Sequence, residues 1–204
     1  SRGLVGSEMC IRDRKKSDIK PNYLWQQIAR FVGAEGSRRD SLRTHRLSHS
    51  SDPSMEQINW RWRHFDTMSA AAWHDILMLR ANVFVVEQAC PYKDPDHKDI
   101  VSWHLTGHMG DDLVATMRVV PPGVSYDECS IGRVVVPESL RGQRRGVELM
   151  QVGIAFCESR WNTGIRISGQ GYLKGFYEAL GFETIHGPYM EDEIPHYEML
   201  KPGV

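Results

Sequence analysis

The sequence lacks the long apolar segments and the signature motifs that define several common classes of protein. Among its 204 residues, no apolar run approaches the ~18 residues of a membrane-spanning helix, and no secretory signal peptide is recognisable. Neither GxxxxGKS/T nor GxGxxG occurs, which argues against a P-loop or dinucleotide-binding protein. No internal repeat is present. We therefore predict a globular protein without a membrane partner.

Cysteine is scarce, and its spacing is wide. The four cysteines are Cys10, Cys90, Cys129 and Cys157. They form no CxxC pair and no series of metal-ligand spacings, so we predict no metal site and a reduced compartment, the cytoplasm. Cys90 is interpreted as a buried free thiol. The polar loop Lys93–Asp99 lacks the spacing of a calcium-binding EF-hand, and we interpret it as a solvated loop.

The net charge of −1 hides two parts of opposite charge. Residues 1–54 carry 11 Lys and Arg against 6 Asp and Glu, whereas residues 55–204 carry 14 against 20. The first part is rich in Ser and poor in apolar periodicity, so we predict a disordered or non-native N-terminal extension. The domain then spans 55–204, with Met55 as the natural start; a transit peptide is the alternative. Basic residues in such a segment do not indicate a nucleic-acid-binding domain.

The apolar pattern predicts strands and helices in alternation. Residues alternate over Asn59–Phe65 as in an edge strand, and Ala70–Phe84 has an apolar stripe at helical spacing. The remaining predicted elements are strands Trp103–His108, Leu113–Val120, Ile131–Val136, Ile165–Ser168, Phe182–Ile185 and His196–Leu200, and helices Val147–Ser159 and Tyr172–Leu180. The order β-α-β-β-β-α-β-α-β-β predicts an α/β (α+β) domain, in which a mixed sheet has helices on both faces.

One stretch of this pattern indicates a ligand. Strand Ile131–Val136 is stopped by Pro137, a basic turn follows at Arg141–Gly146, and a helix comes next. Chains build pyrophosphate sites in this order, because free backbone N–H groups at a helix start point at the anion. We predict an anion site at this turn; the alternative is a solvated basic loop before an ordinary helix.

Several motifs follow one another in the acidic part of the chain. They are Leu79-Arg80, Val83–Gln88, Cys90–Tyr92, Ile131–Val136, Arg141-Gly142 with Gly146, Phe176–Glu178 with Gly181-Phe182, and Ile194–His196. Through these motifs the chain from about Asn59 to Met199 resembles the GNAT superfamily of acyl-CoA N-acyltransferases, and most of all its ElaA-type branch. The resemblance implies the GNAT fold, with a mostly antiparallel mixed sheet, and acetyl-CoA as co-substrate without a metal.

The resemblance also implies where acetyl-CoA binds. Strand Ile131–Val136 would splay from Ile165–Ser168 and pair with the pantetheine arm, and the amides of Gln143–Val147 would hold the pyrophosphate. The superfamily's loop reads Arg/Gln-x-x-Gly-x-Gly/Ala, and here Arg144 replaces the first glycine. The implied cofactor-binding residues are Val134, Val135, Val136, Arg141, Gly142, Gln143, Arg144, Arg145, Gly146, Val147, Gln170 and Phe176.

The implied reaction is direct transfer of the acetyl group to a primary amine through a tetrahedral intermediate. The amine must lose a proton before it attacks, a backbone N–H near Val134 would meet the oxyanion, and Tyr177 would protonate the leaving thiolate. Glu87 and His196 are alternative general bases, and a proton relay through water would need neither of them. The predicted substrate-binding residues are Arg80, Phe84 and Glu191.

Each of these assignments has an alternative without a function. Tyr177 could be a core residue beside Phe176. Glu87 could pair with Arg80 or cap a loop, and His196 could bond the backbone at a strand edge. The long side chain of Arg80 could also reach the surface past the apolar stripe of its helix, or be directed at a carboxylate of the protein.

Other expectations concern single residues and partners. Arg133, inside a strand, is expected to have a carboxylate partner and a structural role. The acidic rim Glu191–Glu193 could attract a cationic amine or be a solvated turn. An acyl-homoserine-lactone synthase and a non-catalytic acyl-CoA-binding module are the alternative functions. We expect a small-molecule or peptide amine as partner, no nucleic acid, no membrane, and a monomer or homodimer.

Overall fold

The computed structural model describes residues 57–191 and 193–203. The predicted extension at 1–54 and the predicted start at Met55 lie outside these residues. The strands and helices of the described part are β1 (Asn59–His64), α1 (Ala70–Ala81), β2 (Trp103–Met109), β3 (Asp112–Val120), β4 (Cys129–Val135), α2 (Arg145–Arg160), β5 (Ile165–Gln170), α3 (Lys174–Glu178), β6 (Glu183–Glu191) and β7 (Ile194–Lys201). This is the order predicted from the sequence.

The first helix is shorter than predicted. α1 begins after Ser69, whose hydroxyl accepts a hydrogen bond from the Ala72 amide at 3.2 Å. It ends at Ala81, and one π-helical turn, Asn82–Glu87, takes the place of the last predicted turn. This turn is rich in valine, whose β-branched side chain is crowded in a regular α-helix. None of the helices in the described part is both long and apolar enough to cross a membrane.

The strands of the described part form one sheet in the order β1-β2-β3-β4-β5-β7-β6. Neighbouring strands are antiparallel except β4 and β5, which are parallel. β1 is an edge strand, as its alternating sequence predicts. The mixed, mostly antiparallel sheet is confirmed.

Helices α1 and α2 cover opposite faces of the sheet. Met117 of β3 is buried in the apolar core with Leu149 of α2. The next residue, Arg118, shares the carboxylate of Asp99 with Arg80 of α1. Because successive residues of a strand point to opposite faces, the two helices lie on opposite sides of β3. The predicted helices on both faces are therefore confirmed.

We expect Met117→Ala to lower the free energy of unfolding by about 2–5 kcal/mol, the usual cost of truncating a fully buried methionine. Met117 is 1% exposed and lies against Gly153 of α2. Met78, which is 50% exposed on α1, is the matched control, and Met78→Ala should change stability by less than about 0.5 kcal/mol. Urea denaturation of both variants tests this. Equal losses would contradict the assignment of the core to this face.

Candidate active site

β4 and β5 separate soon after they meet. They pair at two positions, Cys129 with Ile165 and Ser130 with Arg166. Beyond these pairs β4 continues to Val135 and β5 to Gln170 without further pairing between them. The gap between them exposes two strand edges, where an extended ligand can form backbone hydrogen bonds. The splay predicted between these strands is confirmed.

The basic turn follows β4 in the chain and ends at the N-terminus of α2. Gly142 and Arg144 have left-handed φ angles of 77° and 61°, and α2 begins at Arg145, two residues before the predicted start. The first amides of a helix have no acceptor within the helix, so this N-terminus favours an anion. The predicted pyrophosphate residues Gln143 and Val147 flank this helix start.

Arg144 adopts a conformation that favours glycine. Its φ of 61° places it in the left-handed region immediately before α2. A residue with a Cβ atom loses roughly 1–2 kcal/mol in this region relative to a right-handed conformation. The superfamily loop has glycine here, and the structure gives the conformational reason. Arg144 therefore keeps the shape of the glycine turn and adds a charge to it.

Arg141 and Glu87 form an ion pair across the basic turn. Arg141 Nη2 donates to Glu87 Oε2 at 2.9 Å, and Nη1 donates to the other carboxylate oxygen. Arg141 Nε also donates to the carbonyl of Val136 at 3.0 Å. The π-helical turn Asn82–Glu87 brings Glu87 to this position. The structure thus joins a predicted base to a predicted phosphate ligand, whereas the sequence suggested Arg80 or a loop amide as partner.

Tyr177 lies in α3 with its ring against β5. It is 8% exposed, and a Cβ atom added at Gly169 would lie 2.8 Å from its ring. Burial, and then the neighbouring Tyr172, raises the pKa of Tyr177 above its usual value. The hydroxyl therefore stays protonated at neutral pH, as a general acid requires. The Phe176 ring contacts the Tyr177 ring edge-on, with 5.2 Å between the two centroids. The alternative, that Tyr177 is a core residue beside Phe176, therefore also describes part of the environment of Tyr177.

Tyr172 interacts electrostatically with Tyr177 and with the Arg141–Glu87 pair, and the sequence did not single it out. Its hydroxyl donates to the side-chain oxygen of Gln170. Burial raises its pKa, while Arg141 and Glu87 act on it in opposite directions. Nothing in the local sequence marks this tyrosine, because its neighbours come from three separate segments. Gln170, a predicted cofactor ligand, is thus held at the end of β5.

His196 lies on the sheet face opposite Tyr177. It pairs in register with Gln170 of β5 and Tyr189 of β6, and directly paired residues share a face. Gly169, which contacts Tyr177, is the preceding residue and points to the other face. His196 Nδ1 is 2.9 Å from the carbonyl of Ile194. A donating Nδ1–H leaves the lone pair on Nε2, the form that can accept a proton.

The predicted substrate residue Glu191 is near a group of polar side chains on the same face as His196. Ser168 Oγ is 2.6 Å from the Tyr189 hydroxyl and 3.4 Å from Glu191 Oε2. Arg166, two residues earlier in β5, is 3.5 Å from Glu198. The acidic rim is therefore accompanied by a cation and by hydroxyl groups. Asp192 of this rim is outside the described residues.

Arg80 is buried, not directed to the surface. Its side chain is 1% exposed, with Nε 2.7 Å from Asp94 and Nη1 2.9 Å from Asp99. The alternative that Arg80 reaches solvent is therefore wrong, while its role toward a substrate stays a prediction. Phe84 is half-buried in the π-helical turn. Asp94 and Asp99 are 4% and 2% exposed, so the solvated-loop interpretation is wrong for these two residues, because their carboxylates compensate buried arginines.

Two further observations concern metals and thiols. Within residues 57–191 and 193–203, no group of three His, Cys, Asp or Glu side chains is arranged to hold a metal ion. Cys90 has intermediate exposure and is less buried than predicted, whereas Cys129 and Cys157 are buried. Arg133 has the expected carboxylate partner, with Nε 2.9 Å from Asp94 Oδ1.

Sequence comparison identifies a family model and close relatives. The model described as an acetyltransferase (GNAT) domain matches residues 111–202. A UPF0039 protein of Synechocystis is 39% identical over 146 residues, which are 71% of this chain and 95% of that protein. These matches extend over most of the relative's length, so the similarity concerns a whole domain.

Two solved structures are similar in both fold and sequence. An acyl-CoA N-acyltransferase from Pseudomonas aeruginosa matches with a TM-score of 0.69 and 33% identity, over 71% of this chain and 99% of that chain. ElaA from Escherichia coli matches with a TM-score of 0.67 and 35% identity, over the same shares of the two chains. The predicted GNAT fold is confirmed by these matches.

The left-handed conformation of Arg144 gives a stability prediction. Arg144→Gly and Arg144→Ala both remove the charge, but only glycine is free of the Cβ penalty. We expect Arg144→Gly to be about 1 kcal/mol more stable than Arg144→Ala. Thermal and urea unfolding of the two variants measure the difference. If Arg144→Ala were the more stable variant, the turn would not have the left-handed conformation in solution.

Proposed function

The chain belongs to the ElaA branch of the GNAT acetyltransferases, and from that premise we propose that it transfers an acetyl group from acetyl-CoA to a primary amine. One observation carries the proposal: β4 separates from β5 after two residue pairs, and the arginine-bearing turn that follows β4 leads into the N-terminus of α2, with Arg141 bound to the carbonyl of Val136. Strand edges suit the amide-rich pantetheine arm, and a helix start with added positive charge suits the pyrophosphate. Acyl transfer by the chain follows from its family, whereas the acetyl group and the amine are our proposal.

The residues present fit acetyl-CoA as a substrate. In the proposal, Val134, Val135 and Val136 offer backbone groups to the pantetheine arm. The pyrophosphate is held by the turn and helix start: Arg141, Gly142, Gln143, Arg144, Arg145, Gly146 and Val147. Gln170 and Phe176 complete the site from the β5 side. A Cβ atom at Gly146 would lie 3.9 Å from the Phe176 ring, which supports placing Phe176 beside the start of α2.

In the Arg141–Glu87 pair, the Glu87 carboxylate would compete with the pyrophosphate of acetyl-CoA for Arg141. In the proposal, the pyrophosphate takes over Arg141, and the Glu87 carboxylate is released. Both side chains are partly exposed, at 37% and 27%, so the exchange requires no buried charge to lose its partner. The contact with Arg141 places Glu87 at the proposed pyrophosphate end of the site, so we propose His196, whose Nε2 is left with its lone pair, as the base in preference to Glu87.

The reaction we propose uses one proton acceptor and one proton donor. His196 takes a proton from the ammonium group, and the free amine attacks the thioester carbonyl, with a backbone N–H near Val134 facing the developing oxyanion. The C–N bond forms and the C–S bond breaks. Tyr177 gives its proton to the leaving thiolate. The nitrogen, now bonded to the carbonyl carbon, loses its second proton to solvent, and solvent also reprotonates Tyr177 and removes the proton from His196. Because Tyr177 and His196 lie on opposite faces of the sheet, the proposal requires the thioester to lie in the gap between β4 and β5, where both faces are open to it.

Arg80, Phe84 and Glu191 are proposed to shape the amine site. Arg80 would act through the carboxylates it binds, while Phe84 and Glu191 are accessible enough for direct contact. The substrate is a small-molecule or peptide amine, and the protein acts as a monomer or homodimer. The dispersed cysteines support a reducing compartment, and we place the protein in the cytoplasm.

A thiol-release assay tests the proposed function. Acetyl-CoA is incubated with the protein and a panel of polyamines, amino acids, aminoglycosides and peptides, and free CoA is measured. Mass spectrometry of the products must show an acetylated amine. Lactone products would instead indicate the acyl-homoserine-lactone synthase, and acetyl-CoA binding without CoA release would indicate the binding module.

We expect Tyr177→Phe to lower kcat by about 10²–10⁴-fold, the usual contribution of a general acid. Its raised pKa keeps the hydroxyl protonated up to alkaline pH, so the loss should be present across the neutral range. The acetyl-CoA dissociation constant, measured by calorimetry, should stay within a factor of about three. Tyr197→Phe is the control, and it should keep wild-type kcat. A Tyr177→Phe enzyme with wild-type kcat at all pH values would exclude this tyrosine as the acid.

We expect His196→Gln to lower kcat/KM by about 10²-fold or more, because the amine loses its proton acceptor. His74→Gln is the control, since its side chain is 71% exposed on α1. Glu87→Gln should have the smaller effect on kcat/KM and should bind acetyl-CoA more tightly, because Arg141 no longer has an internal anion. Steady-state kinetics and calorimetry measure these effects. The opposite ranking of the two variants would make Glu87 the base.

A further inference from the structure

β4 contains a bulge where it faces the gap. Thr116 of β3 pairs with Val135, and Arg118 pairs with Gly132, so three residue steps of β4 oppose two of β3. The two residues without a partner in β3 are Arg133 and Val134. Arg133 has a left-handed φ of 50°. A conformation of this kind in a residue with a Cβ atom persists when the surroundings enforce it.

The side chain of Arg133 is tied to the loop after the π-helical turn. Its Nη2 donates to the carbonyl of Asp94 at 2.9 Å, and its Nε lies 2.9 Å from Asp94 Oδ1. The Tyr92 hydroxyl donates to the same carboxylate oxygen at 3.0 Å, and the guanidinium carbon of Arg133 is 5.7 Å from the centre of the Tyr92 ring. The bulge is thus held by a charged, two-point contact and by an aromatic surface.

Asp94 is itself fixed by buried partners. It is 4% exposed, and Arg80 of α1 donates to its other oxygen at 2.7 Å. Asp99 accepts from Arg80 and from Arg118, each at 2.9 Å. Asp96 accepts from Arg118 at 2.6 Å. With Asp96 included, three arginines face three aspartates, and the charges of the network balance. The Arg133 contact therefore connects the bulge to α1 and to β3.

The bulge lies in the part of β4 whose backbone would contact acetyl-CoA. β4 has no pairing with β5 beyond Ser130, and the bulge residues have no partner in β3. Their backbone groups are positioned by the bulge instead of by a regular ladder. We propose that Arg133 is a positioning residue, which through Asp94 fixes the backbone of Val134 for the thioester. This inference rests on the proposed function and assigns the Arg80–Asp94 pair the role of anchoring that backbone.

Arg133→Gly is the decisive variant, because glycine accepts the left-handed φ and removes only the side-chain contact. We expect Arg133→Gly and Arg133→Gln to lower kcat by about tenfold or more, since small displacements of a reacting group have large effects on rate. KM for the amine should change by less than about threefold. Arg133→Lys, which keeps the charge but not the planar fork, should recover part of the rate. Arg160→Gln, an exposed arginine stacked on Trp103, is the control.

Amide hydrogen exchange provides a readout that does not depend on activity. Without ligand, peptides covering Ile131–Val136 should exchange faster in Arg133→Gly and in Tyr92→Phe than in the wild-type protein. Exchange and kcat at wild-type levels in folded Arg133→Gly would overturn the proposal. So would a loss confined to KM for the amine, because Arg133 would then contact the amine directly. Failure of the wild-type protein to bind acetyl-CoA would count against the proposed function, while the exchange experiment would still test the contact.

Discussion

The early separation of β4 from β5 is the constraint on which the site depends. The two parallel strands separate after Ser130 and Arg166. The backbone N–H and C=O groups on their facing edges then need hydrogen-bond partners other than the neighbouring strand. The rest of the sheet permits this, because β4 is supported by β3 and β5 is supported by β7. A ligand with alternating amide donors and acceptors can replace the missing strand contacts. The chemistry then comes from side chains placed around that opening.

The buried arginines and aspartates give this opening a defined shape. Desolvating charges is costly, and a buried ion pair adds little net stability, whereas removing one partner costs about 3–5 kcal/mol. For Asp99, burial alone would raise the pKa, but Arg80 and Arg118 lower it below its ordinary value. The carboxylate therefore stays charged and keeps both arginines in place. Such a network specifies one arrangement of α1, β3 and the loop Lys93–Asp99 more strongly than an apolar contact would.

The sequence predicts what depends on neighbours along the chain. The order of elements, the edge position of β1 and the splay at Ile131–Val136 follow from periodicity and from the resemblance. The Glu87–Arg141 pair was not predictable, since the two residues are 54 positions apart and each has several plausible partners. The burial of Asp94 was missed for the same reason. A polar loop is predicted to be solvated unless the arginines that cover it are known. The carboxylate partner expected for Arg133 was nevertheless an indication that one such carboxylate is covered.

The two halves of the proposed site use different parts of the protein, the backbone in one and side chains in the other. This explains why the family resemblance implies the acyl donor but does not name the amine. The proposed acetyl-CoA half would use backbone edges and a helix N-terminus, which tolerate many side chains as long as the turn retains its shape. Arg144 illustrates this tolerance, because it replaces glycine and keeps the left-handed φ. The proposed amine half would use side chains such as His196, Ser168 and Glu191, on elements that meet only in the folded protein. A substitution of one of these side chains would alter which amine is accepted without disturbing the gap between β4 and β5. The fold would therefore determine the acyl donor more firmly than the amine acceptor.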